Sequence, residues 1–239
     1  LTDTSLSASV LNTLDGNTSG TVNANTVSTL SGAAADLNTA YDSSGISGLG
    51  DENLSLTSST VEASVLNNLD SNTTGAVFAF PVNTLTGTAA DLNTAYDSSG
   101  ISGLGDEAVT VDSGTASTAQ ANSLAAATTG VVTATISDGD LATLSGLNET
   151  DNAYTITVTD TSVDASAFNT LDATTSVVLN SSNITSLTGA AADLNTAYDS
   201  SGISNLGDEA VTLTDTALAA SVLNTLDGNT SGTVNANTV

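Results

Sequence analysis

The sequence predicts a mainly β fold: a stacked β-solenoid of about nine coils, about 26 residues each, with a short helical corner in many coils. Three observations carry that prediction. Residues 213 to 239 recopy residues 1 to 27, with only Ser5 and Ser7 replaced, by Ala217 and Ala219. The word Leu-Asn-Thr, or a close variant, begins at Leu11, Leu37, Leu66, Leu92, Ala121, Leu141, Phe168, Leu194 and Leu223, so that successive words are spaced 26, 29, 26, 29, 20, 27, 26 and 29 apart. The chain is 39% hydrophobic but only 3% aromatic, which suits thin layers of small aliphatic side chains covered by their neighbours. Residues 1–239 therefore read as one continuous solenoid segment of a longer repeat protein, whose super-repeat has an offset of 212 and makes positions 1–27 equivalent to 213–239. The prevailing hand of β-solenoids makes the expected coil right-handed.

Residues 211 to 232 serve as the type unit. Val211 and Leu213 open it with a period of two, in a Thr-rich lead-in that has the pattern of a strand with one buried face. Ten positions before each Leu-Asn-Thr word stands an apolar residue, namely Leu1, Val27, Leu56, Val82, Val111, Val131, Val158, Ile184 and Leu213, which marks a fixed core position. The segments ASVLNTL and AAADLNTAY then place apolar residues three and four apart, as in Ala33, Leu37, Ala40 and Tyr41, and predict one or two helical turns. The glycine that follows, at Gly20, Gly45, Gly75, Gly100, Gly130, Gly202 or Gly232, is expected to supply a positive φ that turns the chain into the next strand. Strands stacked about 4.8 Å apart would advance one super-repeat by about 38 Å.

The second residue of the word is Asn12, Asn38, Asn67, Asn93, Asn122, Asn169, Asn195 or Asn224, with Ala142 breaking the series. A side-chain amide can donate to one neighbouring coil and accept from the other, so the series predicts an internal asparagine ladder. The break falls on the shortest interval, the one of 20, where a local irregularity is expected.

Composition excludes whole classes of function. The chain has no Lys, Arg, His or Cys and 26 acidic residues, a net charge of -26. Without cations it cannot neutralise phosphates, so nucleic acid and anionic membrane are not expected partners. No apolar run approaches the roughly 20 residues of a membrane span, so membrane insertion is not expected either. Without an imidazole, amine or thiol it lacks the usual bases, nucleophiles and zinc ligands. Only a carboxylate pair of the glycosidase kind remains open. Every acidic cluster recurs, whereas a catalytic pair is unique within a domain, so no enzyme is expected.

Two positions past the Thr of the word, Asp15, Asp70, Asp172 and Asp227 alternate with Tyr41, Tyr96 and Tyr198. The aspartates are expected to accept from backbone N–H groups of the turn that follows. A sharper alternative is calcium. In YDSSGISGLGDE, Asp42, Asp51 and Glu52 could bring carboxylates together, as could Asp97, Asp106 and Glu107, and again Asp199, Asp208 and Glu209. Neither the EF-hand pattern nor the GGxGxD nonapeptide occurs. Repeated TxT segments, such as Thr155, Thr157 and Thr159, raise a second alternative, an ice- or glycan-binding face, although strand propensity alone accounts for them.

The phrases VLNTLDGNTSGTVNANTV, TLTGTAADLNTAYDSSGISGLGDEAVT and ANSLAAATTGVVTATISDGDLATLSGL resemble the tandem repeats of very long, acidic, secreted or cell-surface proteins of marine cyanobacteria. Some of those are described loosely as haemolysin-type calcium-binding. The resemblance covers essentially the whole chain. It implies export, an extracellular or cell-surface location and a structural or adhesive role. The expected function is a stiff filament, fibre or surface layer, built by end-to-end self-association or by continuation within one long chain. The alternative is a calcium-dependent adhesin or a glycan- or ice-binding module.

Overall fold

The computed structural model describes residues 1–239. Nine helices alternate with short parallel strands, 33% helix against 25% strand, and the fold class is α/β. This corrects the mainly β solenoid predicted above. The reason lies in the helical segments: AADLNTAYD and ASVLNNLDSN form helices of 9 and 10 residues, about two and a half turns or more, where one or two turns were expected. The strands meanwhile are only two to four residues long.

The chain forms two compact units, Leu1–Gly114 with Ser123–Val131, and Thr115–Asn122 with Val132–Val239. The first holds β1 (Ser5–Ser7), α1 (Ala8–Gly16), β2 (Val22–Asn23), β3 (Thr29–Gly32), α2 (Ala34–Asp42), β4 (Ile46–Ser47) and β5 (Asn53–Leu56). It continues with β6 (Thr60–Glu62), α3 (Ala63–Asn72), β7 (Val77–Phe78), β8 (Thr84–Gly87), α4 (Ala89–Asp97), β9 (Ile101–Ser102) and β10 (Ala108–Val111). All pairing is parallel, and the register steps by 24 in sequence number in most pairs: Ser5 lies beside Thr29 and Thr29 beside Asn53, while Thr60 lies beside Thr84 and Thr84 beside Ala108; Leu54 beside Val77 is one residue shorter. The sheet β1-β3-β5-β7-β9 begins with strands that enter helices and ends with strands that leave them, with β5 in both roles as the partner of β3 and β7. After each pair of such steps the helix-entering strand shifts onward, from Asn53 in β5 to Thr60 in β6. The word intervals of 26 and 29 combine that shift with a strand-to-helix lead that is longer in β3–α2, Thr29 to Ala34, than in β1–α1, Ser5 to Ala8, or β6–α3, Thr60 to Ala63.

The core of this unit is a set of matched rows. Leu30, Leu54 and Val77 stack in register on the inner face and are fully buried. Each helix buries residues three apart, Ala34-Leu37-Ala40, Ala63-Leu66-Leu69 and Ala89-Leu92-Ala95, which is one face of a helix.

Helix α5 (Thr118–Ala127) contributes residues to both units. The second unit continues with β11 (Val132–Thr135), α6 (Leu141–Leu144), β12 (Ala153–Thr155), β13 (Ser162–Asp164), α7 (Ala165–Asp172) and β14 (Leu179–Asn180). Then come β15 (Ser186–Gly189), α8 (Ala191–Asp199), β16 (Ile203–Ser204), β17 (Ala210–Leu213), α9 (Ala220–Asn229) and β18 (Val234–Asn235). The step of 24 returns in β13-β15-β17, where Val163, Leu187 and Val211 align. Between β11 and β12 the step falls to 20, Thr133 lying beside Ala153, and the adjoining α6 is a single short turn. This is the interval where the asparagine series breaks.

Seven of the nine apolar positions ahead of the Leu-Asn-Thr word are buried, but Leu1 and Val131 are 38% and 49% exposed. The glycines after the word correct another expectation, since none of the seven has a positive φ. Six of them, all but Gly20, are needed for close approach. A Cβ on Gly45, Gly100 or Gly202 would lie 1.9, 2.0 or 2.2 Å from a carboxylate oxygen of Asp15, Asp70 or Asp172, and one on Gly75, Gly130 or Gly232 would lie 2.4, 2.3 or 2.2 Å from a glutamate carbonyl oxygen.

Candidate functional site

The side chains singled out by the sequence gather at the junctions between successive layers, and the same junction recurs. Asp15 lies in the last turn of α1 and reaches forward to the next layer, where its carboxylate accepts from Ser43 Oγ at 2.6 Å. Asp70 accepts from Ser98 at 2.7 Å and Asp172 from Ser200 at 2.6 Å, each 28 residues ahead. The same serines accept from the N–H groups of Gly45, Gly100 and Gly202 at 3.0 Å, which closes a tight Ser-Ser-Gly turn around each carboxylate. The aspartates thus bind the turn of the next layer rather than their own, so the local turn role expected for them is corrected.

The tyrosines that alternate with these aspartates hold the Gly-Asp-Glu loop. Tyr41 donates to Glu52, Tyr96 to Glu107, and Tyr198 to Glu209 at 3.1 Å. All three glutamates are fully buried. A buried carboxylate without a cation is costly unless hydrogen bonds satisfy it, and the backbone supplies most of them, Glu209 Oε1 being left without a partner. Gly50 N–H donates to Glu52 at 2.9 Å, Gly105 N–H to Glu107 at 2.9 Å and Gly207 N–H to Glu209 at 2.8 Å. Thr73, Thr128 and Thr230 complete the motif by donating to the glutamate carbonyls, at 2.7, 2.7 and 2.8 Å. Burial first, and then the adjacent glutamate, pushes the Tyr96 phenol well above its ordinary range. Tyr198 is raised chiefly by burial, and Tyr154 is pushed up to about 12 by burial and by the charge of Glu149.

This geometry divides the residues considered for calcium. Glu52, Glu107 and Glu209 point inward, whereas Asp42, Asp97 and Asp199 at helix ends and Asp51, Asp106 and Asp208 in loops are exposed. No group of three or more carboxylates converges in a way that could hold a metal ion.

Among the asparagines, half bridge to the next layer. The side-chain amides of Asn12, Asn67, Asn122 and Asn169 donate to the carbonyls of Asp36, Asp91, Gly146 and Asp193, at 2.9, 2.9, 2.7 and 2.9 Å and 24 residues ahead each time. Asn93 instead bonds within its own helix to Ala89, and Asn195 accepts from Asn229 at 3.0 Å. Asn38 lines a surface cleft between α2 and α3, and Asn224 is exposed on α9.

A fourth contact was not foreseen. Helices α2 and α8 begin after Ala33 and Ala190, which offer no capping side chain. Their first N–H groups are bonded from the following layer instead: Ala34 N–H donates to Ser58 Oγ at 3.1 Å, and Ala191 N–H to Asp215 Oδ2 at 2.7 Å. Thr118 and Leu141 N–H groups reach Asp138 and Asp160 in the same way, at 2.7 and 2.6 Å. A carboxylate at a helix N-terminus also faces the positive end of the helix dipole, which gives part of the acid content a place in a chain without cations.

No family model, curated protein or solved structure matches the chain. Its chemistry is therefore read from its own geometry. The Asp–Ser junction, the Tyr–Glu loop, the bridging Asn amides and the helix-capping contacts each occur two or more times, and each joins one layer to the next or closes a loop within a layer. The signal that could have revealed the Asp–Ser contact is the fixed separation of LD and SSG, at 15 and 43, 70 and 98, and 172 and 200.

Proposed function

We propose that this chain is a structural repeat protein, a segment that builds a stiff filament, fibre or surface layer. The observation that carries the reading is the recurrence of one junction: Asp15 with Ser43, Asp70 with Ser98, and Asp172 with Ser200, at the same separation and nearly the same distance. A repeated inter-layer bond serves cohesion, whereas a binding or catalytic site needs a constellation of its own. The absence of Lys, Arg, His and Cys from the sequence supports the same reading by removing most catalytic groups. Charge opposes association at low ionic strength, since every copy carries -26. Sedimentation velocity over a salt series tests the proposal. Association should increase as the screening length falls from about 8 Å at physiological strength toward about 3 Å at about 1 M. A monomer at every salt and protein concentration would overturn it.

A further inference from the structure

Two of the three phenylalanines in the chain stand two residues apart, in the segment VFAFPV at 77–82, which also holds its one proline. The equivalent segments of other layers are VNANTV at 22–27 and LNSSNI at 179–184. Phe78 and Phe80 thus occupy positions that elsewhere carry Asn23 and Asn25, or Asn180 and Ser182. All three segments build the same strand and turn. Val22–Asn23, Val77–Phe78 and Leu179–Asn180 are strands, and the N–H groups of Val27, Val82 and Ile184 donate to the carbonyls of Ala24, Ala79 and Ser181 at 2.8, 2.9 and 2.9 Å. Amides and hydroxyls therefore serve this turn as well as aromatic rings do, and the fold does not require the pair.

The rings face outward. Val77 and Ala79 are fully buried, whereas Phe78 is half-buried and Phe80 is 71% exposed. The two rings are nearly parallel, 13° apart with centroids separated by 6.1 Å. In register, Phe78 lies between Ser55 and Ser102, in a row that continues through Ser31 and Ser7. Phe80 lies against Gly103 of the next layer, where a Cβ would come within 2.6 Å of its ring. Burial of a phenylalanine is among the larger apolar gains open to a side chain, yet most of Phe80 is left in water.

We propose that Phe78 and Phe80 form a docking platform for arginine side chains of a basic polypeptide partner. Charge complementarity selects this occupant. Aromatic faces carry the negative part of the ring quadrupole and attract cations. The chain adds a net charge of -26 and has no Lys, Arg or His that could fill the platform from within, so the cation must come from outside, drawn by the field of the whole molecule. A guanidinium is planar and weakly hydrated and stacks on an aromatic face, which favours arginine over lysine. The same charge disfavours a second copy, which brings another -26. A neutral saccharide would meet the rings and the flanking serines but gain nothing from the charge. The platform does not depend on self-association.

The test measures fluorescence anisotropy on the full chain with two labelled peptides of equal length and charge, one alternating glycine with arginine and the other glycine with lysine, at about 0.15 M salt. The unmodified chain should bind the arginine peptide about two- to fivefold more tightly than the lysine peptide. In Phe78→Asn/Phe80→Asn, which copies Asn23 and Asn25 and keeps the net charge of -26, that preference should vanish, leaving weak, salt-sensitive binding of both peptides. Phe80→Ser, which copies Ser182, should lose most of the preference and replaces the double variant if the latter melts early. Equal affinities of the unmodified chain for the two peptides, or an arginine preference that survives in the variants, would overturn the proposal and leave only diffuse attraction to an acidic surface. Without an arginine preference, a neutral β-linked glucan oligosaccharide that binds the unmodified chain but not the double variant would make the pair a saccharide platform. Loss of self-association in the double variant, again without an arginine preference, would make it a contact between copies. Either result overturns the assignment to a basic partner.

Discussion

Tyr96 and Glu107 show how a chain without a single basic side chain places carboxylates inside its fold. The glutamate is satisfied by a phenol and by the N–H groups of its own loop, so Tyr96→Phe leaves a buried carboxylate one donor short. The expected loss is about 1–3 kcal/mol in a urea titration, with Glu107→Gln together with Tyr96→Phe losing less than the sum of the two single variants. The tyrosines also set an alkaline limit. A phenol whose pKa is raised in the folded state is neutral in both states below its unfolded value of about 10, and the folded state loses ground as pH climbs from there toward the folded value. Melting temperature should therefore be insensitive to these phenols up to a pH of about 9 and fall above about 10. Most of the tyrosinate absorbance should appear only as the fold opens, since three of the four tyrosines, Tyr96, Tyr154 and Tyr198, are raised. At Gly100 the constraint is steric: Gly100→Ala drives a methyl into Asp70, and should cost about 1–3 kcal/mol. Much of that should return when Asp70→Ala is added. The sequence placed these glycines and aspartates as landmarks but assigned them to local turns. Their true partners lie 28 residues away, a separation that local turn chemistry cannot see.

At the scale of elements, α2 and α4 share the sequence AADLNTAYD and form a natural comparison of helix capping. Helix α4 starts after Thr88, whose hydroxyl accepts from Asp91 N–H at 3.1 Å, while α2 starts after Ala33. Ala33→Thr should stabilise the protein by about 0.5–2 kcal/mol and Thr88→Ala should destabilise it by a similar amount, as read from denaturant midpoints. Leu92→Ala, which empties a fully buried position in the leucine row, should cost about 2–5 kcal/mol. The helices, their buried leucines and the short interval at α6 were legible from the spacing of apolar residues. The fold class was not, because spacing locates an apolar face without showing how many turns a helix runs beyond it. The N–H groups of α2 and α8 also find their caps in the following layer, which no window of local sequence contains.

For the whole molecule the dominant fact is a charge of -26 with no counter-charge among its side chains. Repulsion on that scale opposes the compact state and is reduced by added salt. Melting temperature should rise steadily from about 10 mM to about 1 M sodium chloride, by the same mechanism that promotes association. The repeated junctions agree with the proposed role, in which length is built by repetition. Negative-stain electron microscopy of the purified chain, warmed and cooled at high concentration in about 1 M salt, tests that role most directly. Unbranched filaments that lengthen with protein concentration and shorten on transfer to low salt are the predicted result. A field of monomer-sized particles under every condition would contradict it.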